Sequence, residues 1–237
     1  MTPSRRLIEP LVRESTPSII ADKLRAAIGR GEFRAGEQLG EAQLARELGV
    51  SRGPLREGMQ RLTQEGLLVS IPNRGLFVIE MTPENVSDMY VARVAIERAA
   101  AEQIFLHDPK DAGDQLLAVT DQMAAAALRS DNARVSEADI AFHQLLVSLA
   151  RSPRLARIHT TLLTETRMCI HALEQTYRHS DDRVAEHRGI AEAFRAADPA
   201  LTDARLVAHM DDAVIRLATG TPPLPDPRPP GRRRTSA

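Results

Sequence analysis

The sequence predicts a mainly α protein in two parts, an N-terminal winged helix-turn-helix and a C-terminal all-α bundle. Three observations predict it. Aromatic residues make up 3% of the chain and Trp is absent, while hydrophobic residues make up 43%. The core is therefore built from Leu, Ala, Ile, Val and Met, a composition that favours helix. Apolar positions recur at helical spacing over most of the length, and one short β-patterned stretch interrupts them near residue 70. Charge is divided: residues 1–80 hold 12 Lys/Arg against 10 Asp/Glu, residues 81–219 hold 15 against 21, and residues 220–237 hold 4 against 1. A slightly basic front and an acidic middle mark domains with different partners.

The first domain is expected over residues 1–80. Cap-type residues at Ser15–Ser18 precede Ile20, Leu24 and Ile28, which share one helical face, and "GRGEF" ends that helix. "GEAQLARELGV" is a second short helix, with Leu44 and Leu48 apolar and Gly49 as its C-cap. "SRGPLREGMQRLTQEGLL" is a third. Ser51 suits the N-cap, Pro54 is tolerated in the first turn, and Leu55, Met59 and Leu62 form the inward stripe. Leu67–Ile71 and Leu76–Ile79 flank Pro-Asn-Arg-Gly, a β-hairpin signal. Three helices followed by a hairpin make the winged helix-turn-helix.

The second domain is expected over 83–219, with helices near 83–106, 109–129, 132–151, 154–178, 181–197 and 199–218. The breaks fall at "HDP", "SDN", "SP", "HSDD" and "DP". The tail, 220–237, is Pro-rich and basic and is expected to be disordered. The single cysteine, Cys169, reads as a core filler, and Met89, Met123 and Met210 read as core. With no secretory leader pattern and no apolar run near the ~18 residues that span a bilayer, the expected setting is soluble and cytoplasmic, with no membrane partner.

A helix-turn-helix places its second helix in the major groove, N-terminal residues toward the base edges. Here Gly49 permits the turn, Ser51 caps the helix and is free to donate to a phosphate, and Arg52 and Arg56 share a face opposite Leu55, Met59 and Leu62. Arginine binds guanine O6 and N7 in bidentate fashion, and Asn73, Arg74 and Gly75 form a small charged wing tip. The alternative is an exposed helix whose arginines pair with Glu57 and Glu47. The cap, the preceding helix and the wing occurring in order favour double-stranded DNA as the partner. Arg61 reads equally well as a solvated residue.

In the bundle, Asp139 and His143 stand four apart on one face, and His187 and His209 lie on two other expected helices. One oxygen and three imidazole nitrogens suit Zn, Ni, Co, Mn or Fe(II). Scattered histidines in a helical protein are more often surface or satisfied core residues, so spacing alone leaves this open. His107, His159, His171 and His179 read as surface or packing residues.

Residues 18–80 resemble the DNA-binding domain of the GntR family of bacterial transcription regulators through "LRAAIGRGEFRAGEQL", "LARELGVSRGPLREGMQRLTQEGLL" and "IPNRGLFV". The chain departs from that pattern at Ala35, where Pro is usual, at Gly53, where Thr is frequent, and at Gly58, where Ala is usual. Gly53 lacks a hydroxyl available to phosphate or base, and with Ser51, Pro54 and the arginines it belongs to the expected DNA-binding set. Residues 85–218 resemble the FCD effector domain of the FadR subfamily. The resemblance implies a metal site in which D-x-x-x-H and two later histidines are filled by Asp139, His143, His187 and His209. It also implies that Arg93, of the pair Arg93/Glu97, faces an effector cavity and holds a carboxylate. An i, i+4 salt bridge is the other reading of that pair. Arg167 is a further cavity candidate.

The function so implied is a homodimeric regulator, expected to be a repressor, that reads a palindromic operator and responds to a small organic acid. A direct metal sensor is the alternative. An enzyme is disfavoured: no general base or nucleophile motif accompanies the four ligands, and a winged helix serves no catalytic purpose.

Overall fold

The computed structural model describes residues 15–173 and 180–219. The expected disordered tail, His179 and the break at "HSDD" before Ser180 lie outside those residues or at their edge, and the His171 side chain lies outside them. Contacts divide the chain into two compact units between Glu80 and Met81.

In the first unit, α1 (Thr16–Gly29), β1 (Gln38–Leu39), α2 (Glu41–Leu48), α3 (Arg52–Gln64), β2 (Leu68–Ile71) and β3 (Gly75–Val78) follow in order. The helical stripes meet as their spacing requires: Ile20, Leu24, Ile28, Leu44, Leu55, Met59 and Leu62 are all buried. Gly49 ends α2 in the left-handed region, φ 65°, which glycine adopts without a Cβ clash. The three strands form one antiparallel sheet in the order β1-β3-β2, with Leu68 opposite Val78 and Leu39 opposite Leu76. The hairpin was legible; β1, at two residues, is too short to show alternation.

Gly58 corrects a simple propensity argument. A glycine inside a helix costs about 1 kcal/mol relative to alanine. Here a Cβ at position 58 would stand 2.9 Å from Ile20 Cγ2 and 3.0 Å from the Pro17 carbonyl oxygen. The missing side chain lets α3 lie directly against α1.

In the second unit, α4 (Pro83–Phe105), α5 (Pro109–Leu128), α6 (Asn132–Leu149), α7 (Pro153–Leu173), α8 (Ser180–Arg195) and α9 (Pro199–Thr219) form a bundle. Three of the breaks seen in the sequence, at Asp108, Asp131 and Asp198, are helix caps, and Thr82 caps α4 in the same way. Thr82 accepts from the Asn85 amide at 3.2 Å, Asp108 from Asp111 at 3.0 Å, Asp131 from Arg134 at 3.1 Å and Asp198 from Leu201 at 2.9 Å. Each satisfies one orphan amide of the first turn, and Pro at the start of α4 and α5 has no amide to satisfy. Leu116, Phe142, Leu146, Ile190, Phe194 and Leu206 centre the main core. Gly113 lets α5 and α8 approach: a Cβ there would fall 2.4 Å from the Arg195 backbone nitrogen. Met89, Met123, Met210 and Cys169 are buried in the core, and burial raises the Cys169 thiol to about 12. Among the described residues, no helix is long and apolar enough to cross a membrane.

Candidate metal centre and nucleic-acid interface

Three helices supply the histidine cluster. Asp139 and His143 project from α6, one turn apart, His187 comes from α8 and His209 from α9. All four are buried. His143 Nε2 lies 3.2 Å from His187 Nε2 and 3.2 Å from His209 Nε2. Asp139 Oδ1 stands 3.2 Å from His187 Nε2. The three imidazoles alone bring their ligand atoms within 4.8 Å of one another, and Asp139 joins them through its approach to His187. Phe142 forms an apolar wall, edge-on to the His187 ring at a centroid distance of 4.9 Å.

The other nitrogen of each ring is committed outward. His143 Nδ1 donates to Glu97 Oε2 at 2.7 Å, His187 Nδ1 to the Arg183 carbonyl at 2.8 Å and His209 Nδ1 to Glu186 Oε2 at 3.0 Å. A neutral imidazole that donates from Nδ1 keeps its lone pair on Nε2. With each ring in that tautomer, three lone pairs face one point, an arrangement that a divalent cation satisfies and that outer-sphere partners characteristically fix. Burial, with the Arg93 charge adding, lowers His143 to about 3; burial, with His187 adding, lowers His209 to about 3. Burial works to raise Asp139, but His187 and Arg183 outweigh it and hold the carboxyl well below the usual range. An ionised oxygen and neutral nitrogens are the states in which these groups ligate metal.

Arg93 lies beside this centre, buried on α4. Its Nε donates to Glu97 Oε1 at 2.7 Å and its Nη1 to Thr166 Oγ1 at 3.4 Å. Its Nη2 is buried and, among the described residues, has no hydrogen-bond partner. Arg93 is thus both members of the pair of readings offered by the sequence: an i, i+4 ion pair and a donor lining a cavity. That cavity is also lined by Tyr90, Asp139, Glu186, His209 and Asp212. Arg167 is elsewhere. Its Nη2 pairs with Glu137 at 3.1 Å near the surface, and it does not line the cavity.

Sequence reasoning missed three contributors. His159 on α7, read from sequence as a surface or packing residue, is buried and bonds Glu97 Oε1 at 3.1 Å. Glu186 adjoins His187 in sequence, and Arg183 acts both through its carbonyl, which accepts from His187 Nδ1, and through its charge beside Asp139.

On the first unit, Arg52 and Arg56 are exposed on α3 together with Ser51 and Gly53, and Pro54 is half-buried in the first turn. Ser51 occupies the N-cap position with extended backbone (φ −74°, ψ 159°) but makes no side-chain cap bond, which corrects the capping expectation and leaves its hydroxyl to other partners. Arg56 is also not unneutralised: its Nε donates to Glu41 Oε2 at 2.7 Å, and neither Glu57 nor Glu47 is the partner. Among the described residues, no hydrogen bond or ion pair engages Arg52. Asn73 turns the wing at φ 62°, and Gly75 follows at φ 106°. The Arg74 guanidinium sits 5.3 Å from the centroid of the Phe77 ring, and the Gln38 amide holds the Arg74 carbonyl. Asn73, Arg74 and Gly75 are all exposed.

A winged helix with an exposed arginine face, followed by a helical bundle with an internal polar site, defines a DNA-binding regulator with a sensing domain. Residues 18–78 match the family described as bacterial regulatory proteins, gntR family, and residues 88–212 match the FCD domain. The chain belongs to the GntR family of transcription regulators, in the branch that carries an FCD domain. It is 27% identical over 199 residues to the HTH-type transcriptional regulator YdhC of Bacillus subtilis, covering 80% of this chain and 85% of that one. It is 26% identical over 225 residues to the HTH-type transcriptional repressor NanR of Edwardsiella tarda, covering 85% of each. A GntR transcriptional regulator from Rhodococcus sp. RHA1 superposes with a TM-score of 0.73 at 27% identity, over 88% of this chain and all of that structure. These relatives and families are transcription regulators and not enzymes.

Proposed function

We propose that this chain is a homodimeric operator-binding repressor whose affinity for DNA is set by a small organic acid bound at a metal-containing site in the bundle. The observation that carries the ligand-binding half is the set of three inward Nε2 atoms, each made available by an outward Nδ1 bond. His143, His187, His209 and Asp139 would hold a divalent transition metal, Zn, Ni, Co, Mn or Fe. The ion would supply a Lewis-acid anchor for one oxygen of an acidic ligand.

The protein's own groups do the rest. Arg93 Nη2 offers a buried, unpartnered donor to the same carboxylate, and Glu97 and Thr166 fix its direction. Phe142 excludes water from one side of the cluster, which strengthens every charge interaction there. Control of DNA binding then requires the acid to bind the DNA-competent and DNA-incompetent states unequally. On α3, Arg52 and Arg56 would read base edges, Ser51 would donate to phosphate alongside Gly53 and Pro54, and Asn73, Arg74 and Gly75 of the wing would approach the backbone or minor groove. Repression is supported by the name of the NanR relative, and a two-fold dimer by the symmetry of operators that such motifs read.

The test is in vitro selection of genomic fragments by the purified chain, with and without metal, beside the Arg52→Ala/Arg56→Ala variant. Discrete palindromic fragments, lost in the variant and released by a carboxylic acid only with metal present, are expected. Release by metal alone would instead establish a metal sensor, and absence of selected fragments under every condition would overturn the proposal.

A further inference from the structure

The acid Glu97 has more partners than an ion pair needs. Oε1 accepts from Arg93 Nε at 2.7 Å and from His159 Nε2 at 3.1 Å, and Oε2 accepts from His143 Nδ1 at 2.7 Å. Glu97, His143, Arg93 and His159 are all buried, and they come from three helices, α4, α6 and α7. A carboxylate kept only to offset the Arg93 charge has no reason to spend its second oxygen on a ring of the histidine cluster. Nor does such a pair explain a buried imidazole brought in from α7.

We infer that Glu97 is the positioning residue of the metal centre and that His159 holds Glu97 in place, so that one carboxylate sets both the His143 tautomer and the aim of Arg93. The inference rests on the metal-site reading above. The chemistry is specific. With Oε2 accepting, the His143 proton stays on Nδ1 and the lone pair on Nε2, where a metal needs it. An amide nitrogen in that place would donate to Nδ1, drive the proton to Nε2 and block ligation. If the amide turns over, its nitrogen meets Arg93 and His159, both donors, and loses their support. Either way Gln at 97 fails where Glu succeeds. His159 holds the oxygen that Glu97 shares with Arg93. Arg93 therefore cannot turn without releasing Oε1, and His143 cannot turn without releasing Oε2.

The experiment is a competitive titration of the full chain with Zn2+ alone, paired with the visible spectrum of its Co2+ form. Glu97→Gln, His159→Phe and His159→Gln are compared with wild type and with His187→Ala. Glu97→Gln is expected to lower Zn2+ affinity by about 10- to 100-fold. His159→Phe lowers it by a smaller factor and shifts the Co2+ bands, and His159→Gln, which restores a side-chain donor, recovers both. Melting curves in chelator separate loss of fold from loss of metal. If Glu97→Gln does not fold, the His159 pair decides, and wild-type affinity and spectrum in folded His159→Phe overturn the inference. If wild type binds and His187→Ala does not, yet Glu97→Gln binds as wild type, Glu97 is only a counterion and the metal site stands. If wild type takes up no Zn2+, the metal reading fails and the inference falls with it.

Discussion

Arg56 Nε on the recognition helix donates to Glu41 Oε2 on the first turn of the preceding helix, 2.7 Å away. The two arginines expected to act alike are therefore in different states before any DNA arrives. Arg56 is 62% exposed and Glu41 35%, so the pair contributes little to stability but does aim a long side chain. Glu41→Gln releases Arg56 and removes a negative charge from the face proposed to meet phosphate. Affinity for nonspecific DNA should rise, and the ratio of operator to nonspecific affinity should fall. Anisotropy titrations on both DNAs at one fixed salt concentration measure that ratio; an unaltered ratio would show that Glu41 does not aim Arg56.

Among the described residues, Arg52 has no such tether. Arg52→Ala removes an exposed side chain from the start of α3, so melting should not change. A lost bidentate base contact is worth about 1–3 kcal/mol, so operator affinity should fall by about 5- to 150-fold while nonspecific affinity falls far less. An equal fall on every DNA would make Arg52 a phosphate contact instead.

His187→Ala deletes the ring that lies within 3.2 Å of both Asp139 Oδ1 and His143 Nε2. Metal content in the purified variant should drop well below that of wild type, by elemental analysis at matched protein concentration. Full occupancy in the variant would take His187 out of the site.

The fold was readable because its signals are local. Caps at Thr82, Asp108, Asp131 and Asp198 precede helices with apolar faces, and Asn73 and Gly75 mark the hairpin turn, so boundaries follow from short stretches. Helix spacing put Asp139 and His143 on one face, but it took the fold to bring His187 and His209 beside them. The outward partners were not readable. Glu97 and His159 are 62 residues apart, and Glu186 announces nothing because its role depends on the rotamer of His209. The Arg56–Glu41 pair spans 15 residues across a turn, outside the i, i+4 rule that had suggested Glu57 and Glu47.

Glu165 on α7 gives a pH signature separate from the histidines. Burial, with Asp88 adding, raises its carboxyl from 4.5 to about 7. Between those values the folded chain holds a proton that the unfolded chain has released, so stability falls as pH rises through this window and is level above it. Glu165→Gln keeps the shape of the neutral form. Its melting temperature should match wild type at about pH 5 and exceed it at about pH 8, with metal held constant. The same difference at both pH values would remove Glu165 as the titrating group.

Gly58 sets helix propensity against packing. Alanine at 58 would gain about 1 kcal/mol of propensity. Its Cβ would meet Ile20 Cγ2 at 2.9 Å, Pro17 O at 3.0 Å and Ile20 Cβ at 3.1 Å. Ile20 is buried and β-branched, with few rotamers to retreat into, and Pro17 presents backbone. Overpacking of this kind costs about 1–3 kcal/mol, which outweighs the gain. Gly58→Ala should therefore lower the melting temperature of the first unit, and α1 should shift away from α3. Differential scanning calorimetry measures the first effect. A higher melting temperature in the variant would mean that α1 moves aside freely, and that propensity decides at this position.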